Sequence, residues 1–171
     1  DAIVQKCEWE HGGTPPPELV FRRSLVLVAN IPKAGTHMSA SAVDISVFDR
    51  DEGEEVWRGG PYIEMSERTP MRSPFVSEEH LKNRLAITAM MEARGFIHFP
   101  YEYWHFNKAD AMGHVLAGLA APARYGPIDW NPQTNEVTPY ADALGPLNPL
   151  EQMGQEIALA MRRAQEKEIT A

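Results

Sequence analysis

The chain has 171 residues, of which 43% are hydrophobic and 23% are charged, and its formal net charge is −8. Because this length and composition suit a globular protein with one hydrophobic core, we predict a single domain over residues 1–171. The negative charge argues against nucleic-acid binding, which needs a basic surface, and against docking on anionic membranes. One cysteine, Cys7, cannot form a disulfide within the chain.

The N-terminal region gives one interpretable element. Residues 1–23 show no clear period, and the Gly12–Pro17 cluster predicts an extended surface loop. The apolar, β-branched run 24–30 predicts a buried strand that ends at Pro32 and Gly35.

A second strand is predicted over residues 41–48. Alternation along it places Val43, Ile45 and Val47 on a core face and Asp44 on the opposite face. A carboxylate at the centre of a strand needs solvent or a positive partner, because burying it unpaired is costly.

The middle of the chain combines loops with the clearest helix. Residues 49–60 suggest a hairpin, and 62–76 read as a long ordered loop. A helix is predicted over 77–94, with Ser77 as the N-cap and Gly95 just beyond its end. Its apolar stripe is predicted to comprise Leu81, Leu85, Ala89, Met90 and Met91.

The C-terminal half completes a mixed pattern. Residues 96–99 are strand-like, 112–121 could form a strand or a short helix, and 123–139 read as a loop. Asn148 and Pro149 predict the start of a final helix. Its apolar face is predicted to contain Leu150, Met153, Ile157 and Met161. The fold class we predict is α+β, with helices packed on an antiparallel sheet.

Residues 102–106, Glu-Tyr-Trp-His-Phe, concentrate the chemically useful side chains. One interpretation is a core strand whose aromatic residues pack and whose polar residues lie at its end. The alternative is a functional pair formed by Glu102 and His105. A separation of three places these two on opposite faces of a regular strand, so a shared site requires irregular backbone.

His37 and Asp44 form a second polar pair, upstream of the first. They could be a surface histidine and a hydrogen-bonded strand carboxylate. They could also converge on a metal, because imidazole nitrogen and carboxylate oxygen both bind zinc at about 2 Å. The remaining histidines are expected at the surface or behind a site rather than as ligands; they are His11, His80, His98 and His114.

Together the two pairs give His-x6-Asp followed far downstream by Glu-x-x-His in an aromatic setting. This combination resembles the zinc D-alanyl-D-alanine dipeptidases, which include the vancomycin-resistance dipeptidases, within a larger group of zinc D,D- and L,D-peptidases. Segments 59–62, 65–68 and 93–96 also look like family sequence. The resemblance covers about residues 24–107.

The resemblance implies that His37, Asp44 and His105 bind one Zn²⁺ per chain and that Glu102 is the catalytic proton carrier. Three protein ligands leave a fourth position for water, as in catalytic zinc sites. The implied reaction is hydrolysis of D-alanyl-D-alanine or a similar short peptide. A peptidoglycan D,D-carboxypeptidase or L,D-endopeptidase and a non-catalytic zinc-binding interaction domain are the alternatives. A cytoplasmic location fits the dipeptidase, and export stays open.

Two departures from the family pattern stand out. Met38 and Ala40 occupy positions where the family usually has Ser and Gly. The family's upstream arginine would fall before Asp1, so an N-terminal portion is missing or processed, or another arginine replaces it. The arginines that could do so are Arg22, Arg23, Arg68 and Arg72.

Overall fold

The computed structural model describes residues 2–27, 29–62, 65–148 and 150–169. Within them the chain forms a mixed α+β structure, which confirms the predicted fold class. None of the described helices combines the length and apolar character needed to cross a bilayer. The elements, in chain order, are α1 Ala2–His11, α2 Pro17–Leu27, a 3₁₀ helix Thr36–Ser39, β1 Val43–Asp44, α3 Glu78–Glu92, β2 Ile97–His98, β3 His105–Asn107, α4 Ala111–Leu116, β4 Ile128–Asn131, β5 Glu136–Pro139 and α5 Leu150–Ile169.

The chain divides into two compact units, one made of residues 1–35 and 142–171 and the other of residues 36–141. A single zinc-peptidase-like domain over 1–171 therefore stays a prediction. The first unit contains α1, α2 and α5, whose core is formed by Val4, Cys7 and Val20. Ile157 and Met161 of α5 pack against this core, as their spacing predicts. Pro149, the predicted first residue of this helix, lies outside the described residues.

The strand predicted over residues 24–30 is wrong for residues 24–27, which form the last part of helix α2. Residue 28 lies outside the described residues. Pro17 at the first helical position and Glu18 in the first turn start the helix. Val20 is buried against the α1 core, so tertiary packing overrides the local β propensity of the apolar run.

The second unit is built on a three-stranded antiparallel sheet with the order β1-β3-β2. Strand β1 is shorter than the predicted 41–48; beyond it, Phe48 makes one isolated bridge to Glu55. Ala42, not the predicted core-facing residues, is the buried side chain in this stretch. The predicted hairpin is present, and Gly53 adopts a φ of 71° at its turn.

Helix α3 begins directly after its predicted cap and ends at Glu92, two residues before the predicted end at 94. The Ser77 hydroxyl accepts a hydrogen bond from the His80 N–H, and Gly95 follows the helix with a φ of 79°. The predicted apolar stripe is wrong for Ala89 and Met90, which are exposed, while Leu81, Leu85 and Met91 are half-buried. The fully buried residues of the helix are instead Arg84, Ile87 and Thr88. Arg84 occupies a core-facing position because its guanidinium donates to two backbone carbonyls, those of Arg58 (2.6 Å) and Pro70 (2.8 Å).

Residues 123–139 contain a hairpin, so the loop predicted there is wrong for β4 and β5. The prolines that suggested a loop lie before, between and at the end of the strands, where a missing N–H breaks few ladder bonds. Trp130 and Val137 face each other across the two strands. Over 112–121 the short-helix alternative is the observed one, in α4, which Asp110 caps.

Candidate metal centre

The sheet register brings Asp44 and His105 together. Asp44 in β1 lies directly opposite His105 in β3. Side chains opposite each other in an antiparallel pair are close neighbours. His105 Nδ1 is accordingly 2.8 Å from Asp44 Oδ1.

The 3₁₀ helix Thr36–Ser39 supplies His37 to the same place. His37 Nε2 is 3.3 Å from Asp44 Oδ1, and the other ring nitrogen, Nδ1, is 3.3 Å from the Ala42 carbonyl. The rings of His37 and His105 meet edge to face, with their centroids 4.7 Å apart. Between the 3₁₀ helix and β1, Ala40 has a φ of 53°, a left-handed conformation that glycine adopts without strain and alanine does not.

These three side chains fit a metal ion. One donor atom from each of His37, Asp44 and His105 lies within 4.8 Å of the other two. Donors about 2 Å from a tetrahedral zinc are about 3.3 Å apart, so only small side-chain adjustments are needed. The contact of His37 Nδ1 with a backbone carbonyl is typical of a ligating histidine, because it orients the ring.

Glu102 lies beside this group because the backbone before β3 turns. The Glu102 N–H bonds to the Phe99 carbonyl, and the His105 N–H bonds to the Glu102 carbonyl, each at 3.3 Å. The irregular backbone that a shared site requires is therefore present. Glu102 Oε2 is 3.8 Å from His105 Nδ1, on the side of the ring that faces Asp44.

Burial and charge shift the pKa values of the group in different directions. Burial raises the pKa of Glu102; the charge of His105 opposes this and the charge of Asp44 adds to it. For the other two residues burial acts against the net shift, because it raises the pKa of Asp44 and lowers the pKa of His105. The His105 hydrogen bond and the two histidine charges nevertheless lower the pKa of Asp44, and the Asp44 hydrogen bond and charge raise that of His105.

Tyr62 joins the site, although sequence reasoning gave it no role. Its hydroxyl donates to Asp44 Oδ2 at 3.3 Å, and its ring lies 6.1 Å from that of Trp104. The only sequence signal was its place in the family-like segment 59–62. Tyr103 and Trp104 are each 1% exposed and pack in the core with Met71, so neither lines an open pocket.

The arginine that bonds to the backbone next to Asp44 is Arg58, which is not among the predicted ones. Arg58 is 1% exposed and donates to the Ile45 carbonyl, and both Arg58 and Arg84 lie over the Tyr103 ring, at 4.9 and 4.0 Å. Their burial gives them a structural role. Arg68 and Arg72 are exposed, and among the described residues no hydrogen bond or ion pair joins either of them to His37, Asp44 or His105.

The other histidines make local contacts. His98 pairs with Glu92 at 2.8 Å, and His114 Nδ1 is 3.0 Å from the Ala121 carbonyl. Among the described residues, His37, Asp44 and His105 form the one cluster of three or more side chains that could hold a metal ion.

Comparison with known proteins gives the family. The peptidase M15 family model, described as D-ala-D-ala dipeptidase, matches residues 4–124. The chain belongs to this family. Its curated relatives include the D-alanyl-D-alanine dipeptidases of Enterococcus faecalis, 26% identical over 91 residues, and Escherichia coli, 29% identical over 89 residues. These matches cover 53% and 52% of this chain, and 45% and 46% of the relatives. The chain thus spans about half the length of the curated relatives that it matches.

Proposed function

We propose that this protein is a zinc metallopeptidase that hydrolyses D-alanyl-D-alanine or a similar short peptide. The observation that carries the proposal is the convergence of His37 Nε2, Asp44 Oδ1 and His105 Nδ1, with the Glu102 carboxylate beside them. Membership of the D-ala-D-ala dipeptidase family supports the substrate class. A cytoplasmic location, where a free dipeptide would be met, belongs to the same proposal.

In this proposal His37, Asp44 and His105 hold one Zn²⁺. Their nitrogen and oxygen donors suit zinc, and three protein ligands leave a position open for catalysis. When bound, zinc supplies Lewis acidity, which lowers the pKa of water to about 7 and polarises a carbonyl group. Tyr62 holds Asp44 Oδ2, leaving Oδ1 as the oxygen that faces both histidines.

Glu102 moves the proton. Burial raises the pKa of Glu102 towards neutral pH. A group accepts and returns a proton most effectively when its pKa lies near the working pH. Glu102 takes a proton from the attacking water and delivers it to the amine that leaves when the peptide bond breaks. A non-catalytic zinc site has no need of a carboxylate in this position.

The segment 62–76 is proposed to limit the substrate to a short peptide. Tyr62, its first residue, contacts Asp44, and Met71 packs against the residues that follow Glu102. Arg68 and Arg72 are exposed on this segment and offer the planar fork that pairs with a terminal carboxylate. The segment therefore has both contact with the site and a recognition group for a free carboxyl end.

The test compares kcat/KM for D-alanyl-D-alanine with kcat/KM for an N-acylated tripeptide that ends in D-alanyl-D-alanine. A closed pocket predicts cleavage of the free dipeptide and little cleavage of the acylated substrate. Preference for the acylated substrate would instead assign a peptidoglycan carboxypeptidase, because an open groove gains binding energy from a longer chain. No turnover of either substrate by the zinc-loaded, full-length protein would identify a non-catalytic binding domain.

A further inference from the structure

The far side of the His105 ring, away from Asp44, carries two polar contacts. Nε2 lies 3.2 Å from the Thr36 hydroxyl oxygen and 3.2 Å from the side-chain amide of Asn107. His105 is 5% exposed and Asn107 is fully buried, whereas Thr36 is half-buried. If Nε2 carries a proton, Thr36 and Asn107 are the two side chains within reach to accept it.

Asp110 fixes the orientation of the Asn107 amide. Its carboxylate is 1% exposed, and Oδ1 caps helix α4 by accepting the Gly113 N–H at 2.7 Å. With Nδ2 of Asn107 facing Asp110, the amide donates to both carboxylate oxygens, at 3.3 and 3.2 Å. The same Nδ2 lies 3.2 Å from His105 Nε2, to which it donates only while Nε2 carries no proton. A carboxylate only accepts, so the opposite orientation would place two oxygens against each other. We therefore assign Nδ2 of Asn107 to the position that faces both Asp110 and His105.

This orientation leaves Thr36 as the acceptor. If His105 binds a metal through Nδ1, its remaining proton sits on Nε2 and needs a hydrogen-bond acceptor. The NH₂ group of Asn107 cannot accept, whereas the Thr36 hydroxyl can. Building on the proposed zinc site, we propose that Thr36 is a positioning residue, which holds the Nε2–H of His105 so that Nδ1 faces the metal. Asp110 prevents Asn107 from accepting this hydrogen bond, because it holds the amide with its NH₂ group towards His105.

The first test measures zinc affinity by competition with a chromogenic chelator. Thr36→Val keeps the shape and removes the acceptor, so affinity should fall about 10- to 100-fold, as for other partners of ligating histidines. Thr36→Ser keeps the hydroxyl and should retain most of the affinity. Unfolding of the metal-free variants measures any loss of fold separately. Equal zinc affinity in wild type and Thr36→Val would overturn the assignment to Thr36 and leave the zinc site intact. Wild-type protein that binds no zinc would overturn both proposals.

A double-mutant cycle tests the part assigned to Asp110. Asp110→Asn keeps a good helix cap but can donate to Asn107, which can then turn its oxygen towards His105. The Thr36→Val loss of affinity should therefore be smaller in the Asp110→Asn background than in wild type. Comparing losses within each background removes the effect of the charge itself. Equal losses in both backgrounds would show that Asp110 does not control the acceptor.

Discussion

Ala40 is a strained residue, and replacing it with glycine should stabilise the protein. Its φ of 53° is left-handed, a conformation that costs an L-residue about 1–2 kcal/mol. Glycine removes this cost but loses about 0.5–1 kcal/mol of chain entropy on folding. Ala40 is exposed, so deleting its methyl group leaves no cavity. The balance predicts that Ala40→Gly raises the free energy of unfolding by about 0.5–1 kcal/mol.

Urea unfolding of the metal-free protein measures this change, with the slope of the transition checked for constancy. In a chain of this size the gain corresponds to about 1–4 °C in Tm. Ala117 is the matched control, since it is also exposed but has a φ of −82° at the end of α4. The same substitution there should destabilise by up to about 1 kcal/mol. If Ala40→Gly lowered the free energy of unfolding by the amount expected for Ala117→Gly, the strain assigned to Ala40 would be wrong.

Two further predictions concern the core and the metal-free site. Tyr103→Phe should lower the free energy of unfolding by about 1 kcal/mol, because the Tyr103 hydroxyl donates to the Gly60 and Pro61 carbonyls at 2.7 and 2.6 Å. Urea unfolding measures this change, and an unchanged midpoint would contradict the prediction. In metal-free protein, the Asp44–His105 pair should stabilise most between about pH 4 and 6.5, the ordinary pKa values of the two groups. Because the pKa of Asp44 is lowered in the folded protein, the stabilisation is lost when the pH falls through that pKa. Because the pKa of His105 is raised, the stabilisation is also lost when the pH rises through the pKa of His105. Urea midpoints across pH should show both losses in wild type and not in Asp44→Asn.

Local chemistry predicted some elements well. The start of α3 follows from Ser77, whose capping role depends only on the neighbouring backbone, and Gly95 marks the end of the helix to within two residues. The face that α3 buries could not be predicted in the same way. Arg84 is buried because carbonyls distant in sequence, from Arg58 and Pro70, accept its hydrogen bonds. Apolar spacing treats every arginine as exposed and cannot detect such partners.

The candidate site shows the same limit. Spacing alone does not distinguish His37 and Asp44 from an ordinary polar pair, and only the family resemblance joins them to His105. The pairing of β1 with β3 and the turn at Glu102 depend on long-range backbone contacts, which periodicity does not encode. Tyr62 was missed for this reason, since its partner Asp44 lies on a strand 18 positions away in the chain.

We propose that His37, Asp44 and His105 bind zinc while Glu102 carries the proton without binding the metal. The most direct measurement is the zinc content of Glu102→Gln, by elemental analysis, together with its rate of D-alanyl-D-alanine hydrolysis. His37→Ala and His105→Ala serve as metal-deficient controls. We predict one zinc per chain in Glu102→Gln and a rate lowered by about 100-fold or more. Loss of the zinc from Glu102→Gln, or an unchanged rate with zinc bound, would contradict this account.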